Sequence, residues 1–356
     1  MIDFLKHDLS DQKLTLNQKK QFLFDQLNKG LIPDCVSADC ENAEEFESYY
    51  KRVFTTHELE KILDSANEYA FHSHDLIQKT YSTGTKTETR SGLSKDEWQT
   101  WLDVLTIKNK MAWNHKYPFC SFVIELLGQK YRLSLIHFST SPDEVSKLFV
   151  RKIASLPFDL RAFSPPEEIY DLIEQKKSFL IAGATGSGKT SFLSSLLRET
   201  NQTDHIIILE DTEEINPPHH LTTKMLSGSA PENSLKNYLS YSLRMTPDRI
   251  ILGEMRSDEV VPFLMAMNTG HKGLISTIHA NSAVDAILRA ALLYSLYANT
   301  ELSFNKIVDL ICRGIEYVVY LENKKVKEMI KILGSHEGVP LYQQVERDQH
   351  EYLVAF

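Results

Sequence analysis

The stretch Ser178-Phe179-Leu180-Ile181-Ala182-Gly183-Ala184-Thr185-Gly186-Ser187-Gly188-Lys189-Thr190 sets the reading of this chain. Its apolar opening, Ser178 to Ala182, has the length of a buried strand. The next residues, Gly183 to Thr190, spell G-x-x-x-x-G-K-T, a loop whose backbone N–H groups cradle phosphates. Beyond it, Phe192, Leu193, Leu196 and Leu197 recur at helical spacing, so a helix is predicted to start near Lys189. Strand, glycine loop and helix in that order aim the positive end of a helix at an anion. In this frame Lys189 neutralises β/γ-phosphates and Thr190 offers a hydroxyl to Mg²⁺. The loop therefore predicts a nucleotide, and by itself leaves the use of that nucleotide open.

With 356 residues, two domains are the natural expectation. The sequence is 42% hydrophobic and 24% charged, as in an ordinary globular protein. A formal net charge of −9 argues against a dedicated nucleic-acid surface. Cys35, Cys40, Cys120 and Cys312 form no C-x-x-C pair, so free thiols are expected rather than a structural zinc site. The N-terminus runs into polar sequence without the apolar core of a signal peptide, and no run is long enough to span a bilayer. A cytoplasmic protein is expected, reaching any membrane through partners.

Residues 1–50 carry little pattern; a helix over Asn17–Asn28 is their one candidate element. Thr55-x-x-Glu58 and Ser94-x-x-Glu97 fit capping boxes before two amphipathic helices, the second carrying Trp98 and Trp101 at core spacing. Ser82–Arg90 reads as a loop or exposed hairpin. Ser121–Leu127 and Tyr131–Phe138 read as a hairpin turning at Gly128-Gln129-Lys130. These elements predict an N-terminal domain over 1–139. Prolines 142, 157, 165 and 166 predict a linker over 140–163, and Ser164 before Pro165 reads as the start of a helix opening a second domain, 164–356. Within the linker, Arg151 and Arg161 could reach phosphates from outside that domain.

Three later strands end in chemistry. His205–Leu209 is β-branched and runs into Glu210-Asp211-Thr212-Glu213-Glu214. Arg249–Gly253 runs into Glu254, and Gly273–Ile278 into His279. Carboxyl ends of strands are where ligands bind in open α/β sheets. A carboxylate at Glu210 could hold water, one at Glu254 could help hold Mg²⁺ through water, and His279 could sense a γ-phosphate. The arginines Arg244, Arg249 and Arg256 around the second strand are expected to brace the Glu210 and Glu254 loops or to pack at a subunit boundary. Downstream, Ala283–Leu296 reads as a packing helix, 314–333 as a hairpin around Glu322-Asn323-Lys324, and Leu341–Val345 and Tyr352–Phe356 as short strands.

Four blocks now stand in order: Gly183–Thr190, Leu209–Thr212, Leu243–Arg256 and Ala266–Asn281. They resemble the Walker A, Asp box, Walker B and His box of the type II/type IV secretion ATPase superfamily, most of all the branch of type IV secretion and Flp/Tad pilus-assembly ATPases. The resemblance covers residues 118–335 and is strong from 178 to 290; the first 117 residues match little. It implies an α/β fold with a RecA-like P-loop ATPase domain preceded by a smaller, mobile α+β N-terminal domain. It further implies ATP and Mg²⁺, a ring-shaped homohexamer, and work on inner-membrane secretion or pilus platform proteins. By the same resemblance Glu210 is the Asp-box glutamate proposed as general base, Glu254 the Walker B glutamate and His279 the second His-box histidine. Arg132 and Arg151 match arginines that approach phosphates from the N-terminal side. The absence of a tetracysteine module disfavours the type II secretion and pilus-extension branches. Two other functions stay open: a nucleotide-gated scaffold with negligible hydrolysis, and a RecA-like nucleic-acid motor, which the acidic balance disfavours.

Overall fold

The computed structural model describes residues 57–153, 157–228 and 231–345. The expected helix at Asn17–Asn28, Cys35, Cys40, the Thr55 cap and the strand at Tyr352–Phe356 lie outside these residues. The chain divides into two compact units between residues 155 and 156.

In the first unit the elements run α1 (His57–Ile62), β1 (Glu68–Phe71), β2 (Leu76–Thr80), β3 (Lys86–Arg90), α2 (Lys95–Lys108), β4 (Phe119–Leu126), β5 (Gln129–Ile136) and β6 (Lys147–Lys152). The strands form a six-stranded sheet ordered β3-β2-β1-β6-β5-β4, antiparallel throughout. Ser94 and Glu97 close the expected capping box on α2. Trp98 is core: its ring stacks on Phe71 at 5.0 Å and Trp101 at 5.5 Å, and its Nε1–H donates to Ser146 O at 2.9 Å. The β4–β5 hairpin turns through Leu127 and Gly128, both at positive φ.

The stretch 140–163, expected as linker, contains β6, which pairs with both β1 and β5. The cause is visible in its alternation: Leu148 and Val150 are buried while Phe149 and Arg151 face out, a half-buried strand pattern. The flanking prolines bound that strand and do not extend through it. Ser164 also departs from expectation. It ends a 3₁₀ turn at Leu160–Phe163 with φ of 51°, and the following helix starts later, at Glu168, without a side-chain cap.

The second unit continues with α3 (Glu168–Glu174), β7 (Phe179–Gly183), α4 (Lys189–Leu197), β8 (Ile206–Glu210), β9 (Thr222–Leu226), α5 (Leu235–Ser242), β10 (Arg249–Met255), α6 (Val260–Asn268), β11 (Leu274–Ile278), α7 (Ala283–Tyr297), α8 (Phe304–Gly314), β12 (Tyr317–Glu322), β13 (Lys325–His336) and β14 (Val339–Gln344). They build an eight-stranded sheet ordered β14-β13-β12-β7-β11-β10-β8-β9. From β12 to β9 every pairing is parallel, and β13 and β14 add an antiparallel edge. Both faces are covered, as parallel sheets require. Leu180, Ala182, Ile207, Leu209, Ile250 and Leu252 pack under α5 to α8. Phe179, Ile181, Ile206, Ile208, Ile251 and Ile275 pack on the other face with α3 and α4.

Arg249 does not brace the Glu210 and Glu254 loops. It opens β10 at the opposite edge of the sheet, where it is 1% exposed and its Nε donates to Asp204 Oδ2 at 2.7 Å. Five residues of strand at about 3.3 Å each separate it from Glu254. Lys176 shares Asp204 at 2.9 Å. Arg249→Met leaves a buried Asp204 with Lys176 alone, and should cost on the order of 3 kcal/mol. Denaturant unfolding checks this: the transition should move to lower denaturant, and an unmoved midpoint would show that the pair adds nothing.

Candidate active site

The site begins with a backbone constraint. Gly183 ends β7 at a φ of 155°, and a Cβ there would lie 2.4 Å from Ser187 Oγ and 2.6 Å from Leu321 O. Only glycine allows the chain to turn this close beneath β12. Gly186 and Gly188 also take positive φ, and Gly188 caps α4. Ala184, Thr185 and Gly186 are exposed along the loop, Ser187 and Lys189 are buried, and Thr190 in the first turn of α4 is half-buried. The turn Asn323-Lys324 between β12 and β13 closes on the loop from the side, with Lys324 N–H donating to Ser187 O at 3.1 Å.

Lys189, 7% exposed, donates to Gly183 O at 2.8 Å and Ala184 O at 2.9 Å. Its Nζ also lies 3.4 Å from His279 Nδ1. An ammonium can only donate, so Nδ1 is the acceptor and the ring proton sits on Nε2. That nitrogen lies 2.8 Å from Glu254 Oε1, a close polar contact in which Oε1 accepts no hydrogen bond. Burial and the Lys189 charge both pull the His279 pKa below its ordinary value, which keeps the imidazole neutral at pH 7. Arg256 holds the other Glu254 oxygen and reaches Asp211 at 4.0 Å. Glu259, 3% exposed, in turn accepts from the backbone N–H groups of Arg256 and Ser257.

Glu254 sits where the β10–β11 register slips between Leu252 and Met255, and such slips re-aim a side chain. Gly253, just before it, has a reason of its own: a Cβ there would meet Glu210 Cγ at 3.0 Å and Leu209 O at 3.3 Å. The missing side chain lets β10 lie against Glu210. Thr277 Oγ1 donates to Gly253 O at 2.6 Å and ties β11 to the same point.

Glu210 is 3% exposed at the end of β8. Its Oε1 accepts from Glu214 N at 3.0 Å and Ile215 N at 2.8 Å, and its Oε2 lies 2.9 Å from Lys224 Nζ. Burial raises the Glu210 pKa above its ordinary value, while Lys224 and the two amides pull the other way. Two of the carboxylate's lone-pair directions, both on Oε1, are taken by backbone N–H groups, while the buried Oε2 accepts no hydrogen bond and faces the Lys224 charge.

The structure thus brings Lys189, His279, Glu254 and Arg256 into one connected chain, with Glu210 beside it under Gly253. Arg132 and Arg151 belong to the first unit. They are direct partners across β5 and β6, with Arg132 Nε donating to Ser121 Oγ at 3.2 Å and Arg151 Nε 3.6 Å from Glu68 Oε1. Arg244 is exposed after α5. Sequence reading missed β9, Lys224 and Glu259. One charged residue inside Thr222-Thr223-Lys224-Met225-Leu226 was the available signal for Lys224.

As for a metal, Thr190 and Glu254 present a hydroxyl and a carboxylate, the oxygen donors a hard cation prefers. The residues fit Mg²⁺.

Fold and site together define a RecA-like P-loop protein. Residues 144–319 match the family described as "Type II/IV secretion system protein", and this part of the chain belongs to the type II/type IV secretion ATPase superfamily. It is 31% identical over 192 residues to the conjugal transfer protein TrbB of Rhizobium radiobacter, covering 51% of this chain and 57% of that protein. It is 35% identical over 159 residues to the type IV secretion system protein PtlH of Bordetella pertussis, covering 43% and 47%. The chain spans about half the length of these curated relatives. Among solved structures, the pilus retraction motor PilT with bound ADP shares the fold at a TM-score of 0.58 and 19% identity, over 83% of each chain. The Legionella pneumophila ATPase DotB does so at 0.56 and 17%, over 82% of this chain and 80% of that one.

Gly183→Ala tests the loop. The carbonyl of Leu321 belongs to a paired strand and cannot step aside, so the variant should lose binding of a fluorescent ATP analogue and melt at lower temperature. Retained affinity would show that the turn tolerates a side chain.

Proposed function

We propose that this chain is the ATPase subunit of a secretion or pilus-assembly motor: ATP and water become ADP and phosphate at the edge where β7, β8, β10 and β11 end. The observation that supports this most is the connected chain from Lys189 through His279 to Glu254, with a second, nearly sealed carboxylate beside it at Glu210. Phosphoryl transfer asks a protein chiefly for positioning and charge stabilisation. The loop amides of Gly183 to Thr190 and the Lys189 ammonium bind the β- and γ-phosphates. Thr190, and Glu254 through water, hold Mg²⁺, which when bound neutralises phosphate charge.

Glu210 serves as the general base. Its carboxylate accepts a hydrogen from the attacking water. As the water oxygen bonds to the γ-phosphorus, the bond to the ADP oxygen breaks and the water's proton passes to Glu210. His279, its ring between Lys189 and Glu254, links the γ-phosphate end of the site to that carboxylate and acts as the sensor. Arg132 and Arg151 supply positive charge to the phosphates.

The working form is a homohexamer in which hydrolysis drives rigid-body motion of the units, and its partners are inner-membrane platform proteins. No helix of the described residues is long and apolar enough to cross a membrane. In this reading the chain works from the cytoplasm and attaches through those partners.

Glu210→Gln should lower kcat by roughly 100-fold or more while nucleotide affinity stays near wild type; unchanged turnover would remove Glu210 from the role. Because its pKa is raised, the protonated, inactive form persists above the ordinary glutamate range. A pH–rate profile of kcat should therefore fall on its acid side at a pH above about 4.3. A flat profile down to that pH would count against Glu210 as base.

A further inference from the structure

Lys224 has no part in the nucleotide chemistry described so far, yet it is one of the less exposed lysines of the second unit. Its side chain is 15% exposed, and the Glu210 side chain it meets is 4% exposed. A buried ammonium is costly unless it is paired and hydrogen-bonded, so its surroundings define what it is for. Lys224 stands on β9 opposite Ile208, two residues upstream of Glu210 in the neighbouring strand. Its Nζ lies 2.9 Å from Glu210 Oε2 and 3.6 Å from Glu213 Oε1, and donates to the backbone O of Ile215. It therefore bridges the end of β8 and the far side of the loop 211–215. That same loop supplies the two N–H groups that grip Oε1.

Removing the lysine would do two things at once. Oε2 would lose its only cationic neighbour among the described residues, and the loop carrying the two amide donors would lose its tie to β9. Ser227 reinforces the same corner, its N–H donating to Glu210 O at 2.8 Å and its hydroxyl to Asp211 Oδ1 at 2.7 Å, but neither contact touches the Glu210 carboxylate. Asp211 and Glu213 are the competing carboxylates; Asp211 is engaged by Ser227 and Arg256, which leaves Lys224 to Glu210 and Glu213.

We infer that Lys224 is a positioning residue for hydrolysis: its ion pair with Oε2 and its tie to Ile215 O fix the Glu210 carboxylate in the orientation that meets the attacking water. This rests on the reading of Glu210 as general base. Lys224 touches no phosphate and accepts no proton; it acts through Glu210 alone. Loss of orientation at a reacting group by an ångström costs around 100-fold in rate, with little change in substrate binding.

The test uses the full chain and measures kcat and KM for ATP, affinity for a fluorescent nucleotide, and melting temperature in K224M, K224R, E210Q and the double variant K224M/E210Q. K224M should lose roughly 10- to 100-fold in kcat, with KM and nucleotide affinity within about twofold of wild type. K224R, which keeps the charge and the reach, should regain most of the loss. In the E210Q background K224M should cost nothing further, because two residues acting as one unit are not additive. Wild-type kcat in K224M overturns the inference. So does a K224R as slow as K224M, or a full further loss in the double variant, since either would make Lys224 a structural tie of β9. Should K224M not give folded protein, K224Q, which keeps a donor without the charge, takes its place in the same comparison. Failure of the parent reading looks different: E210Q would then turn over like wild type, whatever Lys224 does.

Discussion

Everything at this site depends on parallel register. Ile181 pairs with Thr277, Ile251 with Ile275, and Ile251 with Ile208, so β7, β11, β10 and β8 run the same way and end at the same edge. A parallel sheet buried on both faces cannot slip by one residue without turning its apolar side chains to the wrong side. The ends of the strands are thereby fixed, and with them Lys189, His279, Glu254 and Glu210. The glycines then set the fine spacing: Gly183 lets β7 turn under β12, and Gly253 lets β10 close on Glu210.

The two carboxylates so gathered live in different surroundings, which suits them to the different roles proposed for them. Glu254 lies 2.8 Å from an imidazole nitrogen whose ring also meets the P-loop lysine, so it is linked to the phosphate end of the site. Glu210 is nearly sealed from solvent and gripped from three directions. A pair of acids whose environments diverge is a common way for one site to separate metal or phosphate sensing from proton transfer. Lys224 belongs to this division, because burial alone would favour a neutral Glu210 and the ammonium opposes that.

Much of this was legible in the sequence. The loop Gly183–Thr190 announces itself, since a phosphate cradle needs glycine at fixed spacing, a lysine and a hydroxyl. Glu210, Glu254 and His279 could be placed because each follows a run of β-branched or apolar residues that can only be a buried strand. Two strands were harder. The interior strand β6 hid between prolines, and the edge strand β9 hid because Thr222–Leu226 pairs on one side only and carries a lysine where a strand pattern wants an apolar residue. Arg249 was misplaced for a related reason: sequence adjacency to Glu254 suggests a shared task, whereas a strand carries its two ends to opposite edges of the sheet. The corner formed by Lys224, Glu210 and Ile215 depends on a pairing between strands that spacing along the chain does not reveal.

The central claim is that this edge hydrolyses ATP and does more than bind it. The most direct measurement is inorganic phosphate released by the full chain with ATP and Mg²⁺ under multiple-turnover conditions. The expected result is phosphate in large molar excess over protein, abolished by Lys189→Ala. A chain that binds ATP yet releases no more than one phosphate per molecule would contradict it, and would mark a nucleotide-gated scaffold in place of a motor.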